Sequence, residues 1–137
     1  MYKTVVEFED FNEETRTKTV YFALNEAQFL ELQAKLGGHL TERIERIREE
    51  KDESSLISLI KELMRAAYGE KSDDGLRMDK SEEAWLRFYQ SNAYSAALMQ
   101  ILTVDTETAA FLNGILPKQI REKVDVNDAL AKARAAN

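Results

Sequence analysis

The sequence predicts an α+β fold that is mostly helical, in which an N-terminal β-hairpin packs on a bundle of about five to six short helices. Two runs of β-branched and aromatic residues, 4–9 and 16–22, are separated by a short polar segment, which is typical of a hairpin. Downstream, apolar residues recur at helical spacing between capping residues and glycines. Because an isolated hairpin is only marginally stable in water, we expect this one to lie on the helices.

The first helix is predicted to begin after Asn25, which has the character of an N-cap. Gln28 stands three residues later and completes a capping box. One apolar face continues through Phe29, Leu32 and Leu36. Gly37 and Gly38 then favour the end of the helix.

A second helix is predicted over residues 40–51, with a narrow apolar stripe in an otherwise charged sequence. The stripe consists of Leu40, Ile44 and Ile47. Glu42 and Arg46 have the spacing and order of a favourable ion pair. We therefore expect a surface helix whose charges face solvent or a partner protein.

The third helix, residues 54–68, has the widest apolar face in the chain and is expected to form the centre of the core. This face comprises Leu56, Ile57, Leu59, Ile60, Leu63, Met64 and Ala67. Gly69 is expected to end the helix.

Residues 70–80 predict a small turn or mini-hairpin. Asp73, Asp74 and Gly75 favour a tight turn, since glycine tolerates a positive φ and aspartate caps its own turn. Ser81 is then placed as the N-cap of a fourth helix. This helix carries Trp85, Phe88 and Tyr89 on one face.

Two more short helices are predicted after an interruption at Ser91 and Asn92. The apolar face of the first comprises Tyr94, Leu98, Ile101 and Leu102. The second is expected to be capped by Thr103 or Asp105. Asn113, Gly114 and Pro117 are expected to mark its end, or a bend near it.

The domain organisation follows from a change in composition near the C-terminus. Residues 1–120 are expected to form a single α+β domain, and residues 121–137 a polar, Ala-rich tail that is weakly helical or depends on a partner. Within this tail Asn127 is a candidate cap, and Leu130 is the one large apolar residue after it.

Composition excludes several classes of function. The 137-residue chain has a net charge of −6 and no cysteine, so disulfides and thiolate chemistry are excluded. The excess of negative charge argues against a nucleic-acid partner. No apolar run approaches the length of a membrane span, and the N-terminus does not resemble a signal peptide. We expect a soluble cytosolic protein without a membrane partner.

The sequence contains no recognisable catalytic constellation, cofactor motif or metal site. His39 is the one histidine and has no neighbouring ligand at metal-binding spacing. An EF-hand alignment of the acidic turn places Glu70, Ser72 and Asp74 at ligand positions but puts Ser81 where a bidentate glutamate is needed. The residues therefore favour a binding protein over an enzyme.

Four segments of the chain resemble the tail assembly chaperones of long-tailed, siphovirus-type bacteriophages. They are EFEDFNEETRTKTVYFALNEAQF at residues 7–29, YGEKSDDGLR at 68–77, SNAYSAAL at 91–98 and FLNGILP at 111–117. The segments extend over most of the chain up to about residue 120. The helix that contains Trp85 and the Ala-rich tail depart from the family pattern.

The resemblance implies a non-enzymatic protein of the host cytoplasm that is absent from the mature virion. Such chaperones bind the helical tape measure protein, keep it soluble and recruit the major tail tube protein. Self-association is a further expectation, because many copies would coat a long client. The partner-binding residues expected from exposure are Leu40, Ile44 and Ile47, with Trp85, Phe88 and Tyr89 as a second choice. For the aromatic trio, packing in the core is the alternative interpretation.

Two other functions remain open from the sequence. The chain would be a small structural virion component, such as a head–tail connector or a tail-tip subunit, if it stays in the finished particle. It would be an inhibitor of a host protein if its acidic face binds one.

Overall fold

The computed structural model describes residues 1–38 and 40–116. Its elements in chain order are β1 (Tyr2–Glu9), β2 (Thr15–Phe22), α1 (Glu26–Lys35), α2 (Leu40–Glu50), α3 (Glu53–Ala67), β3 (Tyr68–Lys71), β4 (Met78–Asp79), α4 (Glu82–Tyr89), α5 (Asn92–Thr103) and α6 (Asp105–Ile115). The predicted α+β, mostly helical class is confirmed. His39 and the predicted tail, residues 121–137, lie outside the described residues, and the proposed domain boundary at residue 120 stays a prediction.

The strands form one antiparallel sheet in the order β1-β2-β3-β4. The N-terminal hairpin pairs in register from Tyr2 opposite Phe22 to Glu9 opposite Thr15. The mini-hairpin extends this sheet, because Phe22 also lies opposite Tyr68. The sequence predicted both hairpins but not that they join, since the joining residues are far apart in the chain.

Local signals for helix starts and turns are confirmed in detail. The Gln28 N–H donates to Asn25 Oδ1 at 2.8 Å, and the Asn25 N–H donates back to Gln28 Oε1 at 3.1 Å. Ser81 Oγ accepts from the Ala84 N–H at 3.1 Å at the start of α4. In the tight turn Gly75 has a φ of +76°. These interactions lie within a few residues of chain, which is why the sequence predicts them.

The predicted N-cap of α6 is wrong, whereas its end at Ile115 lies within the predicted stretch, residues 113–117. Val104, not Thr103 or Asp105, occupies the N-cap position, and no side chain caps it. The buried Thr108 hydroxyl instead donates to the carbonyls of Ile101 and Val104, which ties α6 to the end of α5.

At the other end, α6 continues through Gly114 to Ile115. A Cβ atom at position 114 would lie 2.9 Å from the Tyr2 backbone nitrogen. Glycine is therefore present here for a close approach of helix to strand, and not as a helix stop.

The core lies between the sheet and the helices, with α3 at its centre. The predicted inner face of α3 is buried, except that Ile57 is exposed to solvent. Phe22 lies at the aromatic centre of the core, and its ring contacts those of Tyr2, Tyr68, Phe88 and Phe111. On α5 the fully buried residues are Ala93, Ala97 and Ile101, whereas the predicted face residues Tyr94, Leu98 and Leu102 are only partly buried.

Candidate functional site

The α2 stripe predicted as an exposed partner-binding face is buried. Leu40, Ile44 and Ile47 are 1%, 4% and 4% exposed, and all three belong to the hydrophobic core. The helix does lie at the surface, but its stripe faces inward, and Arg43 fixes it to α3 through an ion pair with Glu62 at 2.9 Å. The predicted exposure is therefore wrong, because the rest of the domain supplies enough apolar surface to cover even a narrow stripe.

The aromatic trio of α4 is divided between the core and the surface. Trp85 and Phe88 are buried, and Phe88 stacks on Tyr68 with ring centroids 4.2 Å apart. Tyr89 is 50% exposed and stacks on Trp85 at 5.6 Å. The core interpretation is right for Trp85 and Phe88, and Tyr89 is the member of the trio that a partner can reach directly.

A groove with a volume of about 470 Å³ lies between α1, α3 and the start of α4. Its apolar lining residues are Leu32, Leu36, Ala66 and Trp85. Its charged lining residues are Lys35, Glu62, Arg65, Lys80 and Glu82. An apolar floor with a charged rim is suited to an amphipathic protein segment.

Ion pairs brace the rim of this groove. Arg65 binds Glu82 at 2.9 Å and so connects α3 to the start of α4. The Arg65 guanidinium also lies 5.5 Å from the centre of the Trp85 ring, within cation–π range. Glu62 is held from the other side by Arg43. Arg65, Glu82 and Glu62 are thus each paired with an opposite charge at the rim.

Lys80 closes one end of the groove. Its Nζ donates to the carbonyls of Ala66 at 3.2 Å and Ala67 at 3.1 Å, and also to the carbonyl of Ala23. Lys80 therefore binds two C-terminal carbonyls of α3 and fixes them to the chain that follows β2. The Ala67 carbonyl also accepts from the Ala23 N–H at 2.9 Å. Burial lowers the pKa of Lys80 from 10.5 to about 8.

Trp85 has a donor without an acceptor. Within residues 1–38 and 40–116, its indole Nε1 is the buried side-chain polar atom that lacks a hydrogen-bond partner. Such a group costs about 1–3 kcal/mol if it stays unpaired. Because Nε1 is closed to solvent, this donor is not offered to a partner, and Trp85 contributes to the groove through its apolar ring.

The acidic turn has a local structural role. Asp74 accepts hydrogen bonds from Ser72 Oγ at 2.6 Å and from the Leu76 N–H at 3.0 Å. These bonds to the ionised form hold the pKa of Asp74 below its ordinary value. Glu70 forms an ion pair with Arg87 at 2.6 Å. Over the described residues no group of three His, Cys, Asp or Glu is arranged to hold a metal ion.

The sequence did not predict the groove, because its lining comes from three separate helices and from Lys80, which precedes the N-cap of the last of them. Each of Leu32 and Leu36 was placed correctly on the apolar face of α1, and Trp85 on that of α4. Nothing in the local pattern reports that these faces meet imperfectly and leave a gap.

In the described part of the chain, no helix has the length and hydropathy needed to cross a bilayer.

The fold and the groove define a small α+β domain with a surface suited to protein side chains. The family model described as "Phage tail assembly chaperone" matches residues 1–137, the whole length of this chain. The chain therefore belongs to the phage tail assembly chaperone family, in which the role is typically non-enzymatic. No curated protein and no solved structure gave a significant match.

Proposed function

We propose that this chain binds the tape measure protein of its phage, keeps it soluble before assembly and recruits the major tail tube protein. The observation that carries the proposal is the family match over the whole chain. A tail assembly chaperone must cover apolar surface on a client and later release it. A preformed groove of moderate size fits reversible binding better than a large apolar interface does.

The groove supplies the contacts in this proposal. One or two apolar side chains of a client helix enter between Leu36 and Trp85. The exposed ring of Tyr89, stacked on Trp85, extends the apolar contact beyond the groove. The net charge of −6 favours a client segment with basic residues and keeps the complex soluble.

The proposed site of action is the host cytoplasm, before the tail is complete. Growth of the tail tube around the tape measure protein would displace the chaperone, so that the mature virion lacks it. A small structural component of the virion would instead remain in purified particles. Mass spectrometry of those particles distinguishes the two functions.

The test is co-expression with the tape measure and tail tube proteins of the same phage, followed by affinity purification. We expect the tape measure protein to become soluble and to co-purify with this chain. Leu36→Arg places a charge in the groove and should abolish co-purification. The matched control is Leu30→Arg on the same helix, since Leu30 is exposed and does not line the groove.

The outcomes separate the parts of the proposal. If both variants bind the tape measure protein equally well, the groove is the wrong surface. If the unaltered chain binds neither tail protein and is found in particles, the chaperone function itself is wrong and the structural function replaces it. Raising the salt concentration should weaken binding, and unchanged binding would contradict the role given to the acidic charge.

A further inference from the structure

The outer edge of β1 is the longest strand edge in the described part of the protein. β1 has eight residues and pairs on one side with β2. Over residues 1–38 and 40–116 no other strand pairs with its second side. Unpaired strand edges present backbone donors and acceptors that readily pair with another strand.

The hairpin turn determines which backbone groups point outward. The Asp10 N–H donates to the Glu14 carbonyl at 2.8 Å, so this pair faces inward between the strands. Because inward and outward pairs alternate in an antiparallel ladder, the odd-numbered residues Lys3, Val5, Glu7 and Glu9 direct their backbone groups away from β2. The Asn92 side chain confirms the alternation, since it donates to the outward carbonyl of Glu9 at 2.8 Å.

The side chains of Lys3, Val5, Glu7 and Glu9 lie on one face of β1. They complement those of a second, antiparallel copy of the strand centred on Val5. All of them are exposed, and Val5 is 60% exposed even though it is apolar. If a second copy of the strand is placed antiparallel with Val5 opposite Val5, Lys3 of each copy lies opposite Glu7 of the other. On the inner face the same register places Tyr2 opposite Phe8 and Thr4 opposite Val6.

We propose that two copies of this chain associate through their β1 edges, antiparallel and centred on Val5, to form one continuous sheet. The two copies are related by a two-fold axis, so the same surface is used twice. The backbone groups of Lys3, Val5 and Glu7 supply about six main-chain hydrogen bonds. The ladder ends at Glu9, whose outward carbonyl is already bound by Asn92.

Charge and the Asn92 contact select this register. Moving the centre to Thr4 places Lys3 opposite Val5 and removes two favourable cross-strand ion pairs. Moving it to Val6 places Lys3 opposite Glu9, and that pair would need the outward Glu9 carbonyl, which Asn92 already binds. A second copy of β1 satisfies its own charges without any other partner, and this self-complementarity favours it over a client strand. The association does not depend on which tail protein the chain binds.

The experiment is sedimentation equilibrium of the full chain from micromolar to millimolar concentration. The unaltered chain should form dimers in this range. Lys3→Glu places a carboxylate opposite Glu7 of the second copy and should raise the dimer dissociation constant by about tenfold. The double variant Lys3→Glu with Glu7→Lys restores opposite charges and should return the constant to within about threefold of the original.

A backbone variant provides a second test. Val5→Pro removes an outward N–H but no bond to β2, so the fold should survive while the dimer is lost. The matched control Val5→Thr keeps both the N–H and a β-branched side chain, and should dimerise like the original. Circular dichroism and thermal unfolding verify that each variant is folded.

Three results would overturn the proposal. The first is a chain that stays monomeric at millimolar concentration. The second is a dimer that Lys3→Glu and Val5→Pro leave unchanged, which would place the interface elsewhere. The third is slow amide exchange of Val5 and Glu7 in the dilute monomer, since another segment of the same chain would then cover the edge.

Discussion

Helices α2 and α4 each carry three large apolar or aromatic side chains that were predicted to bind a partner. The two sets of side chains differ in their burial. On α2 all three are buried. On α4 Trp85 and Phe88 are buried, while Tyr89 remains half exposed beside a groove. The width of an apolar stripe therefore does not determine its exposure. What determines it is whether the neighbouring elements close over the helix completely.

The largest expected effect distinguishes the two sides of α4. Phe88→Ala should lower the free energy of unfolding by about 3–5 kcal/mol, because it leaves a cavity among the core aromatic rings. Tyr89→Ala should cost only about 1 kcal/mol and should weaken client binding instead. Urea denaturation and co-purification with the tape measure protein measure the two effects. Equal losses of stability would contradict the division of the trio.

The next largest effect tests the burial of α2. Ile44→Ala should lower the free energy of unfolding by about 2–4 kcal/mol, since Ile44 is buried in the core. The folded fraction of this variant should still bind the client through the groove. A stable Ile44→Ala variant that fails to bind the client would indicate that α2 is the binding face. It would contradict the assignment of α2 to the core and of client binding to the groove.

A smaller effect concerns Lys80, which precedes α4 and has no counterpart on α2. Its pKa is 10.5 in the unfolded chain and about 8 in the folded one, because burial disfavours its charge. Between pH 8 and pH 10.5, a larger fraction of the unfolded chain than of the folded chain therefore carries the proton on Lys80. The contribution of Lys80 to stability consequently rises with pH, by about 1 kcal/mol after allowance for its partial exposure.

Lys80→Met is the reference for this measurement, and its stability should change less between pH 8 and pH 9.5. The window ends before pH 10, the ordinary pKa of tyrosine. Burial raises the pKa of Tyr2 and Tyr68 to about 12, so above pH 10 stability is lost as tyrosines ionise in the unfolded chain. An NMR titration midpoint for Lys80 near 10.5 would show that its three carbonyl partners cancel the effect of burial.

The smallest expected effect concerns the ion pair that fixes α2 to α3. Glu62→Gln removes the charge partner of Arg43 and should cost about 0.5 kcal/mol, because both groups are partly exposed to solvent. The cost should shrink further in high salt. A loss above about 2 kcal/mol would mean that this ion pair, and not the burial of Ile44, holds α2 in place.

Sequence patterns predicted those features whose partners lie within a few residues. The capping box of Asn25 and Gln28 and the turn at Gly75 are examples, because each is completed by its own neighbours. The pairing of Phe22 with Tyr68 and the contact of Gly114 with Tyr2 were missed for the opposite reason. In each of these contacts the two partners lie dozens of residues apart in the chain.

The candidate site was predicted less well than the fold. Trp85 was named, but its neighbours in the groove, Leu36 and Ala66, come from two other helices. A gap between helices depends on the volumes of many side chains together, and no single periodic pattern records it. Exposure of Tyr89 and burial of Ile44 depend on the same collective packing.

The contact between Gly114 and Tyr2 also determines when the protein can finish folding on the ribosome. Synthesis proceeds from the N-terminus, so β1 and β2 leave the exit tunnel long before α6 does. Until α6 emerges, Tyr2 and Phe22 lack the Phe111 ring that covers them in the finished domain. Part of the sheet face around Tyr2 and Phe22 therefore stays uncovered until α6, the last described helix, has been synthesised and can pack on it.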